Sequence, residues 1–544
     1  MQFSRSSFLK LFPFMMGSRL AAAAPVSAPS GVFDPRDHGA AGDGRQNDTR
    51  AVQAAIDAAA GAGGGRVYLH NGTFLCGSLR LKSNVALHIE AGAVLLGSAK
   101  PSDYPEEPQA YPSRSSTVYT RRSLIFAEKS ENLAIFGNGA IDGQGQTAAF
   151  QQLRQKEEGE RPLLLRFSEC RNIRLRDVTL RNSAFWVQNY LACDDVLIDG
   201  ITVTSRVIQN NDGIDIDDCS NVRIMNCNIS SGDDSVCLKS TSRRGCRNIT
   251  VANCTISSLC YAIKLGTDST GGFKDVTITN CVVYDTRLAG IALQCVDGGE
   301  LERILISNIS MSQVGCAIFL ILGNRGRGME RPAPGHLRNV TIANIEAHGA
   351  GPVGSSVTGQ PGFPVENVLF DNVRIVSTGG GTPEQARREV PEYPDAYPDF
   401  NMFVAQGYHR APGEEKPGHL PAHGLYVRHA AGLTLRNVDF GTAKADARPA
   451  LVVDDATDVR IAGLNAAKSS GAPIAIRLHD VAGASIEGAR APKDAKILVQ
   501  VDGAKSREIQ VTEDILNHAE KTIETGKDVP PSAVRLAHTE AFTR

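Results

Sequence analysis

The sequence predicts an all-β fold, a right-handed parallel β-helix solenoid with an N-terminal capping helix. Between Asn172 and Arg303 a short motif, usually Asn or Asp before an apolar residue, recurs at spacings of 23, 26, 27, 27 and 28. Each copy opens a stretch of alternating apolar and polar residues, as in a strand with one buried face. A unit of this length cannot bury its own apolar face, so successive units must stack. Parallel crossovers favour the right-handed coil.

The repeat extends beyond this central region, and its length excludes two other repeat folds. Leucine-rich repeats have a similar period, but their leucine-rich consensus is missing here, and propeller blades need units nearly twice as long. The anchor residues of the copies are Asn132, Asn172, Asp195, Asn221, Asn248, Asp275, Arg303, Asn339, Asn367, Gly432 and Asp458.

The N-terminal region lies outside the repeat. Residues 1–30 resemble a signal peptide, with positive charges at Arg5 and Lys10, an apolar stretch at 9–16 and small residues at 21–24. We therefore expect a periplasmic or secreted protein. The following segment at 49–61 predicts a helix, with Asp48 or Thr49 as its N-cap, that closes one open end of the coil.

The β-helix catalytic domain is predicted at 31–500. The anchors Asn367 and Gly432 lie 65 residues apart, which indicates a loop insertion at about 379–420. This insertion is either a structural flap or a lid that stacks on substrate, because it is rich in aromatic residues, namely Tyr393, Tyr397, Phe400, Phe403 and Tyr408. Residues 501–544 lose the repeat and are predicted to form a C-terminal cap or tail.

Composition and charge exclude several classes of protein. The chain has 57 basic and 59 acidic residues and no strongly basic run, so it lacks the signature of a nucleic-acid binder. Outside the N-terminus no apolar run is long enough to span a membrane. Twelve cysteines fit an oxidising compartment, but no CxxC pair or His/Cys cluster suggests a metal site. We expect no cofactor, no metal and a monomer.

A second column of short strands follows the anchor strands. Its copies are Ile214-Asp215-Ile216-Asp217, Val236-Cys237-Leu238-Lys239, Ile263-Lys264-Leu265-Gly266, Ile291-Ala292-Leu293-Gln294 and Ile318-Phe319-Leu320-Ile321. Because strand side chains alternate between faces, the aliphatic residues should form buried ladders and the others should face outward. The outer groove of a solenoid suits an extended polymer.

Three acids stand just before two of these strands. Asp212 and Asp234 are separated by 22 residues, about one coil, and Asp233 adjoins Asp234. Coils stacked about 4.8 Å apart would bring the three carboxylates together and raise the pKa of at least one. A protonated acid beside an ionised base is what glycosidic bond hydrolysis requires. The alternative is that these residues only cap backbone groups at turns.

The acids and several flanking motifs resemble glycoside hydrolase family 28, the polygalacturonases and rhamnogalacturonases. The matching motifs are Asn210-Asn211-Asp212-Gly213-Ile214-Asp215, Gly232-Asp233-Asp234, Ile141-Asp142-Gly143-Gln144-Gly145 and Ser183-Ala184-Phe185-Trp186. The resemblance implies a secreted enzyme that cleaves a pectic polysaccharide or oligosaccharide, of galacturonan or rhamnogalacturonan type, by single-displacement inversion. Asp233 then resembles the general acid, and Asp212 and Asp234 the pair that activates water. Inversion implies carboxyl groups about 6.5 to 9.5 Å apart.

The chain departs from the family pattern where substrate is held. The family's Gly-His-Gly is replaced here by Cys260-Tyr261-Ala262, and its Arg-x-Lys by Ala292 and Gln294. Lys264 and Lys239 either supply relocated cations or pair with Asp215 and Asp217. The candidate substrate-binding residues are Asn210, Asp215, Lys239, Tyr261, Lys264 and Gln294.

Two other functions fit the same scaffold. A polysaccharide lyase or uronate epimerase would abstract a proton beside a carboxylate, commonly with Ca²⁺, which the three acids could bind. A non-catalytic carbohydrate-binding β-helix would keep the acids only for folding.

Overall fold

A computed structural model describes residues 31–153, 159–390, 420–513 and 517–538. Within these ranges no helix is both long enough and apolar enough to cross a membrane. The predicted signal peptide at 1–30 and the five aromatic residues of the predicted insertion lie outside the described residues. The α-helices of the described residues are α1 (Thr49–Gly61), α2 (Ala148–Leu153) and α3 (Pro383–Ala386).

The described chain is dominated by short strands. Those of the N-terminal half are β1 (Val32–Phe33), β2 (Asp43–Asn47), β3 (Gly65–Leu69), β4 (Thr73–Cys76), β5 (Leu79–Arg80), β6 (Val85–Ile89), β7 (Val94–Gly97), β8 (Ser123–Glu128), β9 (Glu131–Phe136), β10 (Ala140–Asp142), β11 (Leu163–Ser168), β12 (Arg171–Arg176), β13 (Thr179–Arg181), β14 (Gln188–Leu191), β15 (Asp194–Asp199), β16 (Thr202–Ser205), β17 (Ile214–Asp217), β18 (Ser220–Met225), β19 (Asn228–Ser231), β20 (Val236–Ser240), β21 (Cys246–Ala252), β22 (Thr255–Ser258) and β23 (Ile263–Ser269).

In the C-terminal half several strands continue from one side of the coil to the next. The strands there are β24 (Phe273–Cys295), β25 (Glu300–Leu322), β26 (His336–Ala350), β27 (Ser355–Thr358), β28 (Val365–Ser377), β29 (Leu425–Thr442), β30 (Leu451–Asn465), β31 (Ile474–Glu487), β32 (Ile497–Asp502), β33 (Arg507–Glu513), β34 (Lys521–Thr525) and β35 (Val534–His538).

The strands stack in three parallel sheets, as the repeat predicts. Through the central coils the first sheet runs β12, β15, β18 and β21, and the second runs β13, β16, β19 and β22. The third sheet runs β14, β17, β20 and β23. Each coil therefore contributes one strand to each sheet, and the apolar side chains of all three fill one continuous core. We call the outer side of the third sheet the groove face.

The register of the third sheet confirms the second column of strands. Ile214 aligns with Val236, Val236 with Ile263, and the ladder continues through Ile291 to Ile318. All five side chains are at most 1% exposed. The alternation of the sequence therefore identifies which residues enter the core.

The repeat anchors share one backbone conformation. All eleven have a positive φ, as at Asn248 (57°) and Gly432 (75°). Asn tolerates this left-handed region because its short side chain can hydrogen-bond locally. The anchor amides also bond across coils: Asn248 donates to Asn221 over 3.0 Å, and Asn172 donates to Asn132 over 2.7 Å. A left-handed turn and a side-chain ladder explain why Asn and Asp recur there.

Replacing Asn248 with Ala is expected to destabilise the protein by about 1 to 2 kcal/mol, because a Cβ without the amide disfavours positive φ and the bond to Asn221 is lost. Asn248→Gly, which relieves the backbone strain, is the control and should lose less. Urea unfolding of both variants measures the difference. Equal losses would show that the left-handed turn does not determine the residue at this position.

The predicted N-terminal helix is confirmed as α1, which packs against the first coil through Ala51, Val52, Ala55, Ile56 and Ala59. Its N-cap is Asp48, but the Asp48 carboxylate accepts hydrogen bonds from the backbone of Ala41 and Gly42 instead of from the helix. Asn47 accepts the backbone N–H of Thr49 over 3.0 Å.

The coil continues past the predicted boundary at residue 500. Strands β33, β34 and β35 pair in parallel with the coils before them, where the sequence predicts a cap or tail. The repeat is hard to recognise there because Glu508 takes the left-handed position, with φ 55°, that Asn or Asp holds in most other coils.

The cysteines serve as core residues. All twelve lie within the described residues, are free thiols, and eleven of them are buried. Cys193 illustrates their stacking, since its backbone N–H donates to the sulfur of Cys219 in the next coil over 3.3 Å. The cysteine count thus reflects repeated core positions, and export of the protein stays a prediction.

Candidate active site

Two consecutive turns bring the three predicted acids together. The N–H of Gly213 donates to the carbonyl of Asp234 over 2.8 Å, so the turn before β17 lies directly on the turn before β20. The carbonyl of Asp233 accepts the hydroxyls of Ser231 and Ser258 over 2.7 and 2.6 Å. These bonds hold the backbone that carries the acids.

The carboxylates lie close to one another and to two lysines. An oxygen of Asp233, an oxygen of Asp234 and the sulfur of Cys260 all lie within 4.8 Å of one another. Lys264 Nζ is 2.8 Å from Asp234. Lys239 Nζ is 3.1 Å from Asp212 and also contacts the neighbouring Asp215.

This arrangement separates the pKa values of the acids. Burial raises the pKa of Asp233 to about 8, and the nearby charges of Asp212 and Asp234 add to the rise. Burial also acts to raise the pKa of Asp234, but Lys264 and Lys239 outweigh it and hold that pKa below 3.8. The pKa of Asp212 is raised by burial and by Asp234, against the opposing effect of Lys239. At neutral pH the site holds a protonated acid beside an ionised one.

Asn211, which sequence reasoning did not select, fixes the first of these turns. Its buried side chain donates to the carbonyls of Ser183 and Phe185 over 2.9 and 2.8 Å and accepts the Ser205 hydroxyl over 3.0 Å. A buried amide with three such bonds rigidifies the loop that carries Asp212. Its place inside the acid motif is the signal that could have identified it.

The prediction that the groove face is open to solvent is wrong for much of its length. Asp215, Asp217, Cys237, Ala292 and Gln294 are 0% exposed. Asp215 and Gln294 therefore lie too deep to contact a polymer. Residues 104–122, which we call the covering segment, account for part of this burial.

The covering segment contacts the groove face at the C-terminal ends of β17 and β20, the strands that follow the turns carrying the acids. Ser115 donates a short hydrogen bond to Asp217, and the Tyr111 hydroxyl lies 2.8 Å from that of Ser242. Tyr119 packs against Trp186, with ring centroids 5.1 Å apart. Since Ser115 and Asp217 are 102 residues apart in sequence, no local pattern could predict this cover.

The other candidate binding residues surround the acids. Lys239 pairs with Asp212 and with Asp215, the second as one of the two predicted alternatives has it, and Lys264 pairs with Asp234. The ring of Tyr261, 2% exposed, lies 4.8 Å from Lys264 Nζ and orients that lysine. Asn210 is half-buried and accepts a bond from Arg161 over 2.9 Å.

Asp233, Asp234 and Cys260 are the residues that could hold a cation. Calcium, however, takes six to eight oxygen ligands, whereas this group has two carboxylates and a thiol. Lys264 already occupies Asp234 and would repel a metal ion. The donor set therefore fits Ca²⁺ poorly.

The region that contains the three acids matches a known protein family. The family model described as glycosyl hydrolases family 28 matches residues 94–392, more than half of the chain. The chain belongs to this family. A probable polygalacturonase of Vitis vinifera is 35% identical over 38% of this chain and 43% of its own length. An exopolygalacturonase of Zea mays is 31% identical over 39% of this chain and 50% of its own length. The chain thus spans half or less of the length of these relatives.

Solved structures of the family share the fold. The exopolygalacturonase of Thermotoga maritima has 24% identity and a TM-score of 0.54, over 64% of this chain and 88% of that one. The polygalacturonase of Erwinia carotovora has 23% identity and a TM-score of 0.51, over 61% and 90%. The right-handed parallel β-helix predicted from the sequence is confirmed.

Proposed function

We propose that this family 28 protein hydrolyses the glycosidic bonds of polygalacturonan or a closely related pectic chain. The observation that carries the proposal is the separation of pKa values within one cluster of acids: Asp233 stays protonated near neutral pH while Asp234 is ionised. Its relatives named polygalacturonases and exopolygalacturonases support the substrate.

In this mechanism Asp233 donates its proton to the glycosidic oxygen as the bond from that oxygen to the anomeric carbon breaks. Asp234 takes a proton from a water molecule that Asp212 helps to orient, and the oxygen of that water bonds to the anomeric carbon. Lys264 keeps Asp234 ionised for this step, and Lys239 orients Asp212.

We propose inversion on the resemblance of these acids to the family pattern. One oxygen of Asp233 and one of Asp234 lie within 4.8 Å of each other, closer than the expected spacing of about 6.5 to 9.5 Å, so the spacing of this pair does not support inversion. Proton NMR of the first product decides the point. A product with the anomeric configuration of the substrate would refute single displacement.

The pH profile is expected to be bell-shaped. Activity requires protonated Asp233, so kcat/KM should fall as pH rises through about 8. It also requires ionised Asp234, so it should fall on the acid side only below the ordinary carboxyl pKa of 3.8. Initial rates in buffers of constant ionic strength measure both limbs. A basic limb already falling at about pH 5, near an ordinary carboxyl pKa, would contradict the role of Asp233.

Product analysis on polygalacturonan, rhamnogalacturonan and neutral arabinan tests the substrate and the reaction together. Saturated products and insensitivity to EDTA are expected for hydrolysis, whereas unsaturated uronates or inhibition by EDTA would indicate a lyase. Binding without any product would indicate a carbohydrate-binding protein. The family match and the poor fit to Ca²⁺ favour the hydrolase over both.

We also propose cleavage from a chain end, because the covering segment contacts the groove face at the ends of β17 and β20, in the two coils that carry the acids. Monomers or dimers are expected as the first products, measured by chromatography of early time points. Long internal oligomers at early times would show that a polymer passes the covering segment.

Export through a signal peptide at 1–30 is proposed with this function, and cell fractionation tests it.

A further inference from the structure

Two arginines contact Asp268 on β23, the strand whose Lys264 contacts Asp234. Between Leu265 and Ser269 the strand β23 bulges, because Leu238 aligns with Leu265 but Ser240 aligns with Ser269. The bulge presents Asp268, which is 9% exposed. Arg325 Nη2 and Arg327 Nη1 both donate to Asp268 Oδ1, over 3.1 and 3.2 Å.

The two arginines are held in place by a second acid. Buried Asp297 accepts Arg325 Nε over 2.8 Å and the backbone N–H of Arg327 over 2.9 Å. The side chain of Arg325 is only 5% exposed, whereas that of Arg327 is 22% exposed. Arg325 therefore serves the scaffold, whereas part of the Arg327 side chain reaches solvent.

A lysine of the acid site and an arginine of the covering segment also act on Asp268. Burial acts to raise the pKa of Asp268, but Arg325, Arg327, Lys239 and Arg114 outweigh it and lower that pKa. Lys239 is the residue whose Nζ lies 3.1 Å from Asp212. Arg114 belongs to the covering segment, so cations from three separate parts of the chain act on one carboxylate.

We infer that Arg327 binds a carboxylate of a uronate unit of the substrate and so selects a charged polymer. This inference rests on the proposed function and names the residues that give it specificity. The positions at which the family pattern carries Arg and Lys hold Ala292 and Gln294 here, and both are buried. A guanidinium is suited to a sugar carboxylate because its planar donors match the two oxygens.

Binding to the Asp233→Asn protein tests the inference without turnover. The probes are an oligogalacturonate and the same oligomer with its carboxyl groups reduced to alcohols, measured by titration calorimetry. Adding Arg327→Ala should weaken binding of the charged oligomer by about 10 to 100-fold and leave the reduced oligomer unchanged. Arg338→Ala is the matched control, because Arg338 also pairs with a carboxylate, Glu302, over 2.8 Å but lies in the first sheet.

The outcomes separate this inference from the proposed function. The inference would be overturned if the Arg327→Ala protein bound the charged oligomer as tightly as its parent does. It would also be overturned if the substitution weakened binding of both oligomers equally, or if the parent did not prefer the charged oligomer. If wild-type protein still released galacturonate in that case, the proposed function would stand. Charge-selective, Arg327-dependent binding without any hydrolysis would instead support the inference and refute the proposed function.

Discussion

The Asp233→Asn protein is expected to lose about 10³-fold or more in kcat while its melting temperature changes little. Asn has the shape of the protonated acid but cannot donate a proton to the glycosidic oxygen. Because the pKa of Asp233 is raised to about 8, the native side chain is already mostly neutral at pH 7, so the substitution removes no stabilising charge. Initial rates on the preferred substrate and thermal unfolding at pH 7 measure the two effects.

Asp217→Asn is the matched control. Asp217 is equally an Asp of the central coils with a pKa raised by burial to about 8, but Ser115 and Thr241 hold its carboxylate away from the three acids. We expect this variant to keep most of its activity. If Asp217→Asn lost activity while Asp233→Asn remained active, Asp233 would not be the proton donor.

Replacing Lys264 with Met is expected to move the acid limb of the pH profile upward by about 1 to 2 pH units. Asp234 then loses the cation that lies 2.8 Å from it, so its pKa rises. The variant should be least active at low pH and recover as pH rises. Leaving a buried carboxylate without this partner should also cost about 3 to 5 kcal/mol of stability. The pH dependence of kcat/KM and urea unfolding measure these effects independently.

Lys274→Met is the control for this experiment. Lys274 pairs with Glu300, but their side chains are 38% and 40% exposed, and such surface pairs contribute about 0 to 1 kcal/mol. This variant should keep both the acid limb and the stability of the wild type. An unchanged acid limb in a folded Lys264→Met protein would mean that Asp234 does not titrate in catalysis.

Much of the fold is predictable from sequence because its determinants are local. The anchor residues mark left-handed turns, and the two-residue alternation after Asn221 or Asn248 marks the core face. The near-constant spacing then sets the stacking, so that Asp212 and Asp234 must meet in adjacent coils. The end of the coil escapes prediction, because at Glu508 an uncommon residue occupies the left-handed position.

Local patterns in the chain specify the solenoid, the register of its third sheet and the meeting of Asp212, Asp233 and Asp234. Which outward side chains reach solvent, and which cations pair with which acids, depends on contacts between distant segments. Ser115 covers Asp217 across 102 residues, and Arg325 reaches Asp268 across 57. Periodicity fixes contacts between neighbouring coils because strand spacing repeats, but a loop that folds back over the coil obeys no period. Its position follows from the shape and charge of the surface that it covers.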